Sequence, residues 1–268
     1  MKVVSKVFVV TGGGNGMGRE LVLLLLKMGA RVAAVDISEK GLQETADLAG
    51  SMKDRLSTHV VNITDRAAVE ALPDAVLAAH KTVDGLINCA GIIQKFVKFN
   101  ELPFSEIDRV INVNLYGTIN MTKAFLPHLM GRPEAHIVNV SSMGGFLPVP
   151  GQTLYGATKA AVKLFTEALY AEMMGTNVHV TVVFPGAIQT NIAANSGVTM
   201  AAASDAATTS KIKMTLPTVA AETIVNGMEA NSYRVLIGSD AKMMDFLVRL
   251  MPKRAVKIIS DQMASLLK

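Results

Sequence analysis

The sequence predicts an α/β protein, a doubly wound, Rossmann-type sheet of seven mostly parallel strands with helices on both faces. Three observations predict it. Short runs rich in valine and isoleucine alternate with longer helical stretches, the rhythm of strand–helix–strand units. The runs are apolar throughout rather than alternating, as strands covered on both faces must be. The first run leads straight into a glycine-rich segment that opens a helix.

In order, the expected strands are Lys6–Val10, Arg31–Asp36, Ser57–Asn62, Gly85–Asn88, His136–Val140, His179–Phe184 and Arg234–Ile237. The expected helices are Met17–Met28, Glu39–Ala49, Arg66–Lys81, Ser105–Leu129, Gln152–Met173 and Ala220–Ala230. Ser105 followed by Asp108 has the spacing of a capping box at a helix start. No linker or compositional break divides the chain, so residues 1–268 read as a single domain. Two stretches depart from the rhythm. Residues 187–216 read as a lid over a pocket, and about 240–268 as a C-terminal helical extension.

Composition narrows the function classes. Half of the 268 residues are hydrophobic and 18% are charged, enough for a large core and against disorder. The net charge of +4 is scattered, with no basic block interleaved with aromatics, which excludes a nucleic-acid partner. The single cysteine, Cys89, excludes an intramolecular disulfide and a cysteine-based zinc site. The five histidines are isolated, so no metal is expected. The first strand begins at once, leaving no room for a signal peptide, and "LVLLLL" is too short to cross a bilayer. A soluble, cytoplasmic protein is expected.

The segment "TGGGNGMGRE" carries glycines at 12, 13, 14, 16 and 18. Its register is Gly12-xxx-Gly16-x-Gly18, since Met17 breaks the GxGxxG alternative. Glycine lets backbone approach a pyrophosphate, and a helix N-terminus supplies amide donors there. The second strand ends at Asp36, eighteen residues past Gly18. That is near the spacing of the acid that accepts from the adenosine ribose hydroxyls. A carboxylate there repels a 2′-phosphate. Positions 15 and 37 are Asn15 and Ile37, and the nearest base is Lys40, so NAD is favoured over NADP. The competing role for Asp36 is a helix cap, for which Ser38 is the rival. Farther on, "LYGATKAAV" sets Tyr155 four residues before Lys159, one turn apart on a helix face. A phenol titrating near ~10 needs a charged neighbour to act as a base at neutral pH.

With these pieces in order, the chain resembles the short-chain dehydrogenases/reductases over about residues 5–240. The resemblance rests on "TGGGNGMG", "NIT" at 62–64, "NCAG" at 88–91, "NVNLYG" at 112–117, "VNVSS" at 138–142, "YGATK" at 155–159 and "PGAIQT" at 185–190. It implies NAD-dependent interconversion of a secondary alcohol and a ketone. Ser142 would bind the substrate oxygen and Tyr155 would be the general acid/base. Lys159 would hold the nicotinamide ribose and favour the phenolate, and Asn114 would hold a water linking Lys159 to solvent. The cofactor set it implies is Gly12, Asn15, Gly16, Met17, Gly18, Asp36, Ile37, Asn62, Ile63, Asn88, Ala90, Gly91, Tyr155, Lys159, Pro185, Gly186, Ile188 and Thr190. Two positions depart from the family pattern. Asn62 stands for an aspartate, its carbonyl still able to accept from adenine, and Cys89 stands for an asparagine. Ser141 rivals Ser142, and Asn112 rivals Asn114.

The expected pocket is apolar: Ile92, Ile93, Gln94, Phe96, Met143, Phe146, Leu147 and Val149, with Ile192, Val198 and Met200 from the lid. Only Lys95 is cationic near its entrance, which suggests an apolar or alicyclic substrate. An NADPH-preferring carbonyl reductase and a non-catalytic dinucleotide sensor are the alternatives. The resemblance also implies a homodimer or homotetramer built on the helices bearing Asn114 and Tyr155. Gly156, Ala157, Ala160 and Ala161 are small enough to pack on the sheet or on a partner. The tail, with basic residues between apolar ones, fits a pocket wall, a subunit contact or, less favoured, a membrane surface.

Overall fold

The strands β1 (Val7–Thr11), β2 (Arg31–Asp36), β3 (Leu56–Val60), β4 (Gly85–Asn88), β5 (Ala135–Val140), β6 (Val178–Pro185) and β7 (Arg234–Ile237) form one sheet. Their order is β3-β2-β1-β4-β5-β6-β7, and every pairing is parallel. The structure is a computed structural model that describes residues 1–198 and 214–263. β1, β4 and β5 are buried at every position, which is why they read as continuous apolar runs. Strand order reverses between β1 and β4. Loops leaving the carboxyl ends of those two strands diverge there and open the crevice in which ligands of such sheets bind.

Helices α1 (Gly16–Lys27), α2 (Glu39–Ala49) and α3 (Arg66–His80) connect the first four strands. Their starts are capped locally by Asn15, Ser38 and Asp65, whose side-chain oxygens accept from first-turn amides. α4 (Phe104–Ile111) and α5 (Gly117–Met130) lead to β5, α6 (Thr153–Met173) leads to β6, and α8 (Pro217–Glu229) leads to β7. A four-residue α7 (Ile192–Asn195) stands in the lid stretch. Leu21, Leu25, Ile224 and Met228 fill one face of the sheet; Leu72, Met121, Phe125 and Leu129 fill the other.

The segment expected as one helix, Ser105–Leu129, is interrupted by a π-turn over Asn112–Tyr116, where the Gly117 N–H bonds to the Asn112 carbonyl. The capping box is also corrected. The helix starts one residue earlier, after Pro103, with no side-chain cap, so Ser105 and Asp108 are already inside it. β3 stops at Val60 rather than Asn62, where the chain turns and the Asn62 side-chain Oδ1 accepts from the Thr64 N–H at 3.1 Å and hydroxyl at 2.9 Å.

The tail forms α9 (Ser239–Leu250) and α10 (Pro252–Met263). Met244, Ala255 and Ile259 bury themselves on Leu147, flanked by Met143, Phe146 and Val149. The extension is therefore packed against the loop after β5. Met243, Phe246 and Leu250 remain exposed on its outer side. No described helix is long and apolar enough to cross a membrane.

Candidate active site

The glycine loop is shaped by backbone. Gly12 has φ +73°, and a Cβ there would come within 3.1 Å of the Ala90 backbone; a Cβ at Gly18 would run into the Gly12 carbonyl. Across the loop, the Thr11 hydroxyl accepts from the Cys89 N–H at 3.0 Å and the Ala90 N–H at 3.1 Å. This ties β1 and β4 at the switch point. The result is a bare backbone cradle at the start of α1, the surface a pyrophosphate needs. Asn15 caps α1 through its own side chain, bonding to the Gly16 N–H. Met17 is partly buried against the core. Thr190 comes over the loop, its Cβ 3.5 Å from where a Cβ on Gly16 would stand.

Asp36 is held at both oxygens, by the Gly14 N–H at 3.0 Å and the Ser38 N–H at 2.9 Å. Ser38 takes the capping role, accepting from the Gly41 N–H, so Asp36 is left facing the loop, with Ile37 exposed beside it. Sequence reasoning passed over Arg19. Its guanidinium donates to the Gly14 carbonyl, to Glu44 at 2.7 Å and to Thr45 at 3.1 Å. That cation is spent on joining α1, α2 and the loop.

Farther along the crevice, several expected residues serve structure rather than an open surface. Asn88 turns inward and donates to Thr122 and to Asn139 at 2.8 Å, so only its backbone lies at the crevice. Ile63 packs into the core against Gly117. The Asn62 side-chain carbonyl, expected to remain available, is occupied by Thr64, which leaves its amide N–H groups as the free ones. Ala90 and Gly91 leave room: a Cβ on Gly91 would meet the Lys159 Nζ at 3.1 Å and the Asn114 Oδ1 at 3.3 Å.

Lys159 and Asn114 flank Gly91, and Ser142 and Tyr155 flank Gly144. Lys159 is buried and donates from Nζ to the Val140 carbonyl at 2.9 Å. Burial pulls its pKa down to about 8, which keeps the ammonium dominant at neutral pH. Ser141 donates to the Lys159 carbonyl at 2.7 Å and is buried, which leaves Ser142 as the hydroxyl that faces the phenol of Tyr155. Burial pushes Tyr155 above the ordinary tyrosine value, with a hydrogen bond from Ser142 opposing. The expected lowering of the phenol by Lys159 and an oxidised nicotinamide together is a matter for the cofactor-bound protein; in the protein alone burial is the larger influence. The ammonium donates to the Val140 carbonyl and lies beside Gly91. Cys89, beside Lys159, is pushed up to about 12 by burial and is an inert thiol.

Asn114 is wholly buried on the π-turn. Its Oδ1 accepts from the Ile92 N–H and its Nδ2 donates to the Ile92 carbonyl, both at 2.9 Å, and to Thr158. What these contacts make of Asn114 is a grip on the loop after β4. Asn112, its rival, is exposed. Gln94, expected in the pocket wall, is instead fully buried under the start of α6.

The "PGAIQT" stretch is fixed from the tail. The Ala187 N–H donates to Asp240 of α9 at 2.7 Å, and a Cβ on Gly186 would collide with that carboxylate. Pro185 ends β6, and Ile188 bridges to Thr215, where the lid stretch returns. Asp240 carried no signal in the sequence, since nothing local links it to residue 187. Met143, Phe146, Leu147 and Val149 pack on the tail helices, which makes them the inner support of the pocket wall. Val198 is buried, and Met200 lies outside the described residues.

A family model described as short chain dehydrogenase matches residues 6–201. A putative oxidoreductase, SadH, of Mycobacterium tuberculosis is 39% identical over 267 residues, covering 97% of this chain and 96% of that one. A short-chain dehydrogenase/reductase from Burkholderia phymatum in complex with NAD superposes with a TM-score of 0.82 at 24% identity, over 93% of this chain and 96% of that one. One from Burkholderia cenocepacia in complex with NADP gives 0.81 at 24% identity, over 97% and 99%. The chain belongs to the short-chain dehydrogenase/reductase family, a family of oxidoreductases.

Proposed function

We propose that the protein is an NAD-dependent oxidoreductase that interconverts a secondary alcohol and a ketone on an apolar or alicyclic substrate. Two juxtapositions carry it: Lys159 and Asn114 meet beside Gly91, and Ser142 and Tyr155 meet beside Gly144. A non-catalytic dinucleotide sensor has no need of all four side chains. The dinucleotide fits the cradle of Gly12, Gly16 and Gly18, with Asp36 at the ribose end and Pro185, Gly186, Ile188 and Thr190 closing over the other. Asn15, Met17, Ile37, Asn62, Ile63, Asn88 and Ala90 would line it through backbone or free amide groups. When bound, it supplies the hydride acceptor or donor.

The chain's own residues do the rest. Ser142 donates to or accepts from the substrate oxygen, and Tyr155 takes or returns its proton. Lys159 keeps a positive charge within the same pocket up to about pH 8. At the phenol, burial and the Ser142 hydrogen bond act in opposite senses, burial the larger. For NAD over NADP, the support is Asp36: its carboxylate is fixed at the loop by the Gly14 and Ser38 N–H groups, and the nearby guanidinium of Arg19 is engaged elsewhere. A 2′-phosphate would meet a carboxylate. The packing of Leu147, Met244 and Ile259 behind the pocket favours an apolar substrate.

Assembly as a homodimer or homotetramer on the α4/α5 and α6 faces fits Ala157 and Ala160, which point outward; Gly156 instead meets the Gly144 carbonyl. A cytoplasmic setting and the absence of nucleic-acid and metal partners complete the reading. The test is a panel of secondary alcohols and ketones assayed by nicotinamide absorbance with NAD(H) and NADP(H). Turnover of cyclic or apolar members, faster with NAD(H), is expected. Preference for NADPH would overturn the Asp36 argument.

A further inference from the structure

The helix that carries Tyr155 lacks a cap of its own. Gln152 occupies the cap position, and its side chain makes no capping bond. An uncapped start leaves the first-turn amides without partners, and such a turn frays. Here the partner comes from sixty residues away. The Gln94 Oε1 accepts from the Leu154 N–H at 2.8 Å and from the Tyr155 N–H at 3.1 Å. The Gln94 Nε2 donates to the Gly151 carbonyl at 3.1 Å, and the Gln152 Nε2 donates back to the Gln94 carbonyl at 2.8 Å. Gln94 is 0% exposed. A buried amide with this many bonds, two of them to the turn that contains Tyr155, is a rigid clamp.

The clamp sits on a loop held by the rest of the site. Ile92 is gripped at both backbone groups by Asn114, and the Ile93 N–H donates to the Ser196 hydroxyl in the lid stretch at 3.0 Å. Three consecutive residues thus touch the π-turn, the lid and the Tyr155 helix in turn. The geometry points to Gln94 as the positioning residue for Tyr155: it fixes the first turn of α6, and so the phenol, relative to Ser142 and Asn114. This rests on the acid/base reading of Tyr155 above.

Amide hydrogen exchange, read with turnover, tests it. In Gln94→Met the Leu154 and Tyr155 amides should exchange about tenfold faster or more, while the middle of α6 keeps its rate. On the alcohol that the wild type oxidises fastest, kcat should fall about tenfold with the KM for NAD within twofold. Gln94→Glu keeps an acceptor oxygen and should recover most of both. Gln94→Asn, polar but one carbon short, should behave like Gln94→Met and serves if that variant does not fold. Unchanged exchange at 154 and 155, or a loss of protection along all of α6 together with weaker NAD binding, overturns the proposal. Tyr155→Phe separates the two claims. If it retains turnover, the acid/base reading fails, while exchange still decides whether Gln94 clamps the helix. If it is inactive and Gln94→Met matches the wild type, only the clamp fails.

Discussion

The two ends of the crevice are built differently. At the β1–β2 end the site is made from residues close in sequence: the loop of Gly12 to Gly18, and Asp36 bonded to Gly14 and Ser38. At the β4–β6 end it is made from side chains that reach across the fold to backbone groups. Asn114 holds Ile92, Gln94 holds Leu154 and Tyr155, and Asp240 holds Ala187. Local sequence can set a backbone cradle, since glycine patterns and strand ends are local. Placing the phenol and ammonium of α6 against the hydroxyl after β5 and the amide of the π-turn needs long-range ties.

The first end should therefore break under a single added methyl group. Gly18→Ala puts a Cβ into the Gly12 carbonyl, so NADH affinity measured by calorimetry should fall a hundredfold or more, or the protein should not fold. Gly131→Ala, whose nearest neighbour would be 3.5 Å away, is the control and should bind normally. Near-normal binding by Gly18→Ala would mean that the loop is not the cradle described.

A smaller effect is expected at the ribose end. Asp36→Ala removes the acceptor and also frees the Gly14 and Ser38 amides. NADH binding should weaken about tenfold and the ratio of NADPH to NADH affinity should rise by at least as much, roughly 1.4 kcal/mol or more for each factor. An unchanged ratio would detach cofactor choice from Asp36.

Away from the crevice, two buried histidines set a pH dependence of stability that neither end governs. Burial first, then neighbouring positive charge, lowers His136 to about 3 and His80 to about 4. Unfolded histidine takes up its proton near ~6.5, so the unfolded chain binds more protons below that pH. The stability these neutral side chains support is complete above about pH 6.5 and is lost as pH falls toward 4. At pH 5 each accounts for about 2 kcal/mol by the linkage relation. Urea unfolding at pH 7 and pH 5 should show that loss, and His136→Gln should reduce it. Equal stability at the two pH values would contradict it.

What the sequence made legible follows the same division. The inner strands were readable because they are buried on both faces and therefore apolar throughout, whereas the edge strand β3, with no fully buried residue, was readable from its place in the alternation. The glycine loop and Asp36 were readable from spacing. The π-turn was not, since nothing in "NVNLYG" distinguishes it from α-helix. Gln94 read as pocket wall because it stands among Ile92, Ile93 and Phe96, and only the fold brings it under Tyr155. Arg19 and Asp240 gave no signal, because their partners, Glu44, Thr45 and the Gly14 carbonyl for one and the Ala187 N–H for the other, are brought to them only by the fold. The burial of the Tyr155 phenol was not legible either. An i, i+4 lysine suggested a nearby charge; in the fold that lysine reaches to Val140, and burial is the larger influence on the phenol.

The central claim is that Tyr155 moves the substrate proton, and a Tyr155→Phe variant tests it most directly. Its NADH affinity should stay within about threefold of wild type, since the cradle is untouched. Its turnover of the panel's best substrate should fall by about a thousandfold or more, the range general acid/base catalysis supplies. Turnover within tenfold of wild type, with binding intact, would contradict the account.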